Sequence, residues 1–250
     1  LVLAAAFRGS ACPRGSQLGW PISNASGSRI FYFHKNVRRA HLGFASDGPS
    51  QNLMGAMENK GVLLFRCKID NEHFSGMNGT VDGRPYIILN TNMSPERQRS
   101  TLVHELAHIF CIFPEDMSEK DAEDYATAIS GAFLCPKKDM IRELGIKRTR
   151  ITADMTMVAK EYGVSALLLM KRANILGIIT NSLYKDFMIK ASQRGWRKNE
   201  PSRIPDETTN LFEQLTIRAV NEDEISVQRG AELLGIPFDA LDQMVHAQEG

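Results

Sequence analysis

The stretch Ser94-Pro95-Glu96-Arg97-Gln98-Arg99-Ser100-Thr101-Leu102-Val103-His104-Glu105-Leu106-Ala107-His108 decides how the rest of the chain is read. Ser94 is a helix N-cap. Pro95 suits the first turn, where a missing N–H loses no hydrogen bond, and Glu96 complements the positive end of the helix dipole. Residues of a helix opened there turn by about 100° each, so His104 and His108 stand one turn apart on one face. Leu102, Leu106, Ile109 and Phe110 occupy the other side and anchor the helix on a core. Two imidazoles at that spacing can share one Zn²⁺ at about 2.0–2.1 Å, with Glu105 directed beside the metal toward a bound water. Zinc lowers the pKa of such a water to ~7, and a carboxylate can take its proton as it attacks a carbonyl. His104 and His108 are thus candidate ligands of one zinc per chain, and Glu105 is the candidate base.

A hydrolytic zinc site needs a third protein ligand and an open position. The next helical pattern runs through Ala122, Tyr125, Ala126, Ile129 and Phe133 and stops before Pro136. Among its acids, Glu119 lies nearest this apolar stripe, about 65° from its centre. Asp121 and Glu123 are further round, and Asp124 faces away. Glu119 is therefore the expected third ligand. Glu123, one turn on, reads as a solvated acid, with orientation of a ligand histidine as the alternative role. Glu115, Asp116, Asp121 and Asp124 read as solvent-facing acids.

Working outward, residues 8–30 are rich in Gly, Ser and Pro and read as loop or linker. Between Pro49 and Lys60 the apolar positions fit a short helix ended by Gly61. Val62–Cys67 and Tyr86–Asn90 read as strands, and Ser75–Gly79 and Asp82–Pro85 as turn chemistry, so a small sheet with a hairpin is expected. After Pro136 the pattern is mostly helical. The fold class is α+β, a small sheet and a metal-binding helix followed by a helical C-terminal region.

The ordered set of Ser94–Arg99, His104–His108, and Glu119-x-x-Ala122-x-x-Tyr125-Ala126 running to Phe133-Leu134-Cys135-Pro136 resembles the ImmA/IrrE family of metallopeptidases. The likeness extends to Lys60-Gly61 upstream and to Tyr162–Ser165 and Leu176–Ile179 downstream, about residues 46–180 in all. It implies a zincin-like core with His, His and Glu ligands and a Glu base. It also implies a protein substrate, typically a helix-turn-helix repressor of a mobile element, a phage or a stress response. Two positions depart from the family pattern: Cys135 stands where Met is usual, and Glu123 where Asn is common. The expected division is an N-terminal segment over 1–45, a zincin-like peptidase domain over 46–190, and an acidic helical region over 191–250.

Composition bounds the alternatives. With 43% hydrophobic and 24% charged residues in a chain of 250, disorder, collagen and disulfide scaffolds are excluded. No apolar run approaches the ~18 residues of a membrane span. The four cysteines, Cys12, Cys67, Cys111 and Cys135, form no close pair, which points to a reducing cytoplasm. Leu1–Phe7 is apolar but lacks a starting Met, and reads as the remainder of a truncated upstream element. The formal net charge of +1 hides a net of +8 over 141–198 and of −8 over 199–250. Both blocks contain a helix, glycine turn and helix, at Val158–Arg172 and at Ile225–Gly235. The first, with Leu167-Leu168-Leu169-Met170, is apolar on too many sides for an exposed recognition helix, and the second lies in an acidic tail that phosphate would repel. The opposite charges suit docking on each other or on a protein substrate better than nucleic acid. His34, His41, His73 and His246 have no paired spacing and no assigned role. The expected function is that of a zinc endopeptidase acting on a protein partner, without direct DNA or membrane binding. The alternative is a regulatory DNA- or partner-binding protein that keeps the peptidase fold.

Overall fold

The computed structural model describes residues 39–246, except 112, 115, 197–199 and 201–203, and the backbone alone at His41. The N-terminal segment with Cys12 and His34, and Glu115, lie outside the described residues. The described chain is mixed α+β, with ten α-helices and a three-stranded sheet. A 3-10 turn (Arg39–Leu42) and helix α1 (Leu53–Glu58) lead into β1 (Leu63–Cys67), β2 (Gly76–Val81) and β3 (Arg84–Asn90). Helix α2 (Pro95–Phe110) and α3 (Glu119–Leu134) follow, then α4 (Lys137–Leu144), α5 (Ala153–Tyr162), α6 (Ala166–Ile175) and α7 (Asn181–Gln193). Helices α8 (Leu211–Asn221), α9 (Val227–Leu234) and α10 (Phe238–His246) close the described chain.

The sheet order is β1-β3-β2, with β1 parallel and β2 antiparallel to β3. Asp82 and Gly83 both have positive φ, 49° and 74°, the conformation a tight hairpin turn requires. Ser75–Gly79 is not a turn, because Gly76 to Val81 forms strand β2. The glycines there serve close packing: a Cβ on Gly76 would meet Thr101, and one on Gly79 would meet the Tyr86 hydroxyl. Ser94 caps α2 by accepting a hydrogen bond from Arg97 N, and Ser118 caps α3 in the same way from Asp121 N.

One core joins the sheet to helices α1 to α7. Ile87 and Leu89 of β3 and Leu102, Val103 and Leu106 of α2 are fully buried in it. The expected helix, glycine turn and helix at Val158–Arg172 corresponds to α5 and α6. Met155, Ala159, Leu169 and Ala173 of these helices are all completely buried in the same core. Helices α8 to α10 share a second, small cluster around Val220, Ala231 and Leu241.

The acidic tail touches the basic block where Glu200 accepts from Ala166 N at 2.7 Å and from Leu167 N at 3.3 Å at the start of α6. Asp206 pairs with Arg66 and Glu207 with Arg99, and Glu207 Oε2 also accepts from Met54 N at 2.8 Å. Glu58 caps α8, accepting from Asn210 N at 3.1 Å and Leu211 N at 3.2 Å. Phe212 then meets Phe65 of β1 edge to face, centroids 5.5 Å apart. Burial pushes the Cys135 thiol up to about 12 and raises that of Cys111 as well, so neither is a reactive thiolate. No described helix is long and apolar enough to cross a membrane.

Candidate metal centre

Helix α2 places His104 and His108 on one face, ring centroids 4.8 Å apart and Nε2 atoms 3.1 Å apart. Each ring is about one fifth exposed. Glu123, on the facing helix α3, reaches both: Oε2 lies 3.0 Å from His104 Nε2, and Oε1 lies 3.0 Å from His108 Nε2. The ligand atoms of these three residues all fall within 4.8 Å of one another. In a tetrahedral shell about 2.1 Å from one ion, donor atoms sit about 3.4 Å apart. The 3.0–3.1 Å contacts here are close to that spacing. Two imidazole nitrogens and one carboxylate also make the donor set of a hydrolytic zinc site with one position left open. The residues present therefore fit the ion.

The expected third ligand, Glu119, is not in this group. It occupies the first turn of α3 and is exposed, one turn before Glu123. The two acids stand on one side of α3, about 6 Å apart along its axis, and the inward face itself also differs from the expected stripe. Tyr125, counted as inward, is 44% exposed, whereas Ser130, a polar residue left out of the stripe, is 3% exposed. Ser130 Oγ donates to the Ser100 carbonyl of α2 at 2.8 Å, so the α2–α3 contact is partly a hydrogen-bonded one. Exchanging Tyr125 for Ser130 turns the inward face toward both acids and leaves Glu119 the nearer, so it is the level of Glu123 along α3 that brings its carboxylate to both rings. The sequence held a signal for this, because Glu-x-x-Ala occurs twice, at Glu119–Ala122 and again at Glu123–Ala126.

Glu105 is only 9% exposed. Its Oε2 accepts a hydrogen bond from Asn78 Nδ2 of β2 at 2.7 Å, a contact between distant segments that no local spacing signals. Thr127, one turn after Glu123, lies with Oγ1 3.4 Å from His104 Nδ1. That contact suits the tautomer with hydrogen on Nδ1 and a lone pair on Nε2. His108 also faces the Phe113 ring, centroids 5.7 Å apart. His104 and Glu105 open on a cleft of about 490 Å³ between α2, α3 and α6, lined also by Ser75, Thr127, Leu168 and Ile175. Asp121 and Asp124 are exposed and outside the ligand group, as is Asp116. The His73 and His246 rings lie beside Glu72 and Asp242, and neither belongs to a metal-type group among the described residues.

Residues 57–174 match the family model Peptidase_M78, the IrrE N-terminal-like domain. The match takes in the whole α2–α3 pair and the strands that flank it. Comparison with curated proteins gives no match.

Proposed function

We propose, from the premise that residues 57–174 are an IrrE N-terminal-like domain of the peptidase M78 kind, that the chain is a zinc-dependent endopeptidase acting on a folded protein partner. One observation carries the reading: two Nε2 atoms and a carboxylate converge within 4.8 Å beside a nearly buried glutamate in an open cleft. His104, His108 and Glu123 hold the metal in this proposal, with Glu123 in the place first expected of Glu119. Bound there, zinc supplies an acidified water and polarises the scissile carbonyl.

The chain's own residues do the rest. Thr127 accepts from His104 Nδ1–H and so keeps Nε2 a lone-pair donor. Glu105 takes a proton from the attacking water and passes it to the nitrogen of the breaking peptide bond. Its burial on one side and its hydrogen bond to Asn78 keep the carboxylate close to the reacting atoms. Leu168 and Ile175 give the cleft an apolar wall for a substrate side chain.

The partner proposed is a helix-turn-helix repressor of a mobile element, a phage or a stress response. Direct DNA contact is not part of the proposal, since Met155, Ala159, Leu169, Met170 and Ala173 of the helical pair at 153–175 are buried in the core. A reducing compartment fits Cys67, Cys111 and Cys135, all free thiols. Removal of metal tests the reading. Dialysis against a chelator should abolish cleavage of the purified repressor, and one equivalent of Zn²⁺ should restore it. Cleavage that persists in the chelated protein would refute it.

A further inference from the structure

The register of β2 against α2 shows how Asn78 comes to meet Glu105. Gly76 and Asn78 lie two apart on the strand, opposite Leu89 and Ile87, and therefore on the sheet face turned to α2. Thr101 and Glu105 lie four apart on α2, and therefore on one helix face. Two strand residues advance about 6.7 Å and four helix residues about 6 Å, so the two rows stay in step. Gly76 faces Thr101, and Asn78 faces Glu105.

The first of these contacts leaves no space for a side chain. A Cβ on Gly76 would stand 2.7 Å from Thr101 Cγ2 and 2.8 Å from the Ile88 carbonyl oxygen. The bare glycine lets the strand lie close enough for a short amide side chain to reach Glu105 Oε2 at 2.7 Å. A hydrogen bond from a neutral donor to a carboxylate is short and strong, and it fixes the plane of the carboxylate. It leaves the second oxygen free to accept a proton. Without it, a carboxylate that is only 9% exposed would lose a partner where water replaces it poorly.

We propose that Asn78 is the positioning residue for Glu105, and that Gly76 sets the strand at the distance its amide requires. The proposal rests on the peptidase reading for the task of Glu105, but the pairing itself is testable without catalysis. In thermal unfolding of the zinc-free full chain, Asn78→Ala should lower Tm by about 3–8 °C. In a Glu105→Ala background the same change should lower it by less than about 1 °C. Equal losses in the two backgrounds would overturn the pairing, whatever the chain cleaves.

Catalysis then reads the positioning role. With the repressor as substrate, zinc-loaded Asn78→Ala should lose about 10–100-fold in kcat, with KM within about twofold and one zinc per chain. Asn78→Asp should fall further, because it turns a second carboxylate toward Glu105. Gly76→Ala should reproduce the kcat loss with zinc retained. Wild-type kcat in Asn78→Ala or in Gly76→Ala would overturn the positioning role. A wild type that cleaves nothing would fail the peptidase reading instead, and the thermal cycle would still decide whether Asn78 and Glu105 act as a pair.

Discussion

The two sides of helix α2 are built on opposite terms. On the core side, Leu102, Val103 and Leu106 are completely buried, and Arg99, 4% exposed, is held in full. Its guanidinium donates to the Gly163 carbonyl at 3.0 Å, to the Ser50 carbonyl and to Glu207, and burial pulls its pKa down to about 10. On the cleft side, His104 and His108 find their hydrogen-bond partners in each other, Glu123 and Thr127. The core side spends its polar groups on closing the structure, linking α2 to residues from three distant parts of the chain. The cleft side collects lone pairs that the fold itself does not need. Stability and chemistry should therefore separate by helix face, within a few residues of one another.

The largest separation is expected at Glu105. Glu105→Gln keeps an acceptor for Asn78 and should leave Tm within about 2 °C, since no buried group is orphaned. It should lower kcat for repressor cleavage by about 10²–10⁴-fold, the usual worth of general acid–base catalysis. A variant that still cleaves at the wild-type rate would erase the distinction between the faces. Arg99→Ala should do the reverse. It strands Glu207 and two buried carbonyls, so a loss of about 3–5 kcal/mol in denaturant unfolding is expected. Below its transition, the folded fraction should still bind one zinc per chain. Loss of zinc from a folded Arg99→Ala chain would show that the two faces are coupled.

What the sequence made legible follows the same line. Ser94, Pro95, His104, Glu105 and His108 are read from local spacing, because a cap and one helical turn are local facts. Glu123 was not legible in the same way. Its placement depends on how far along α2 the helix α3 is set, a tertiary fact, since two acids one turn apart on the same side of α3 look alike in sequence. Strand β2 was hidden for a related reason. Gly76 and Gly79 look like turn residues until Thr101 and Tyr86, distant in sequence, are seen to fill the space beside them. The contacts of the acidic tail were not legible in its net charge, because Asp206 and Glu207 meet Arg66 and Arg99 outside the basic segment while Glu200 accepts from Ala166 N and Leu167 N within it.

The central claim is that His104, His108 and Glu123 form one metal site and that Glu119 stands outside it. Zinc titration of the metal-free full chain, monitored by a competing chromophoric chelator, tests it most directly. Wild type and Glu119→Ala should each take up one zinc with the same affinity. Glu123→Ala should weaken binding by more than the ~10–100-fold that loss of an outer partner brings, with Tm of the zinc-free chain unchanged within about 2 °C. Wild-type affinity in Glu123→Ala, or loss of zinc in Glu119→Ala, would contradict the assignment.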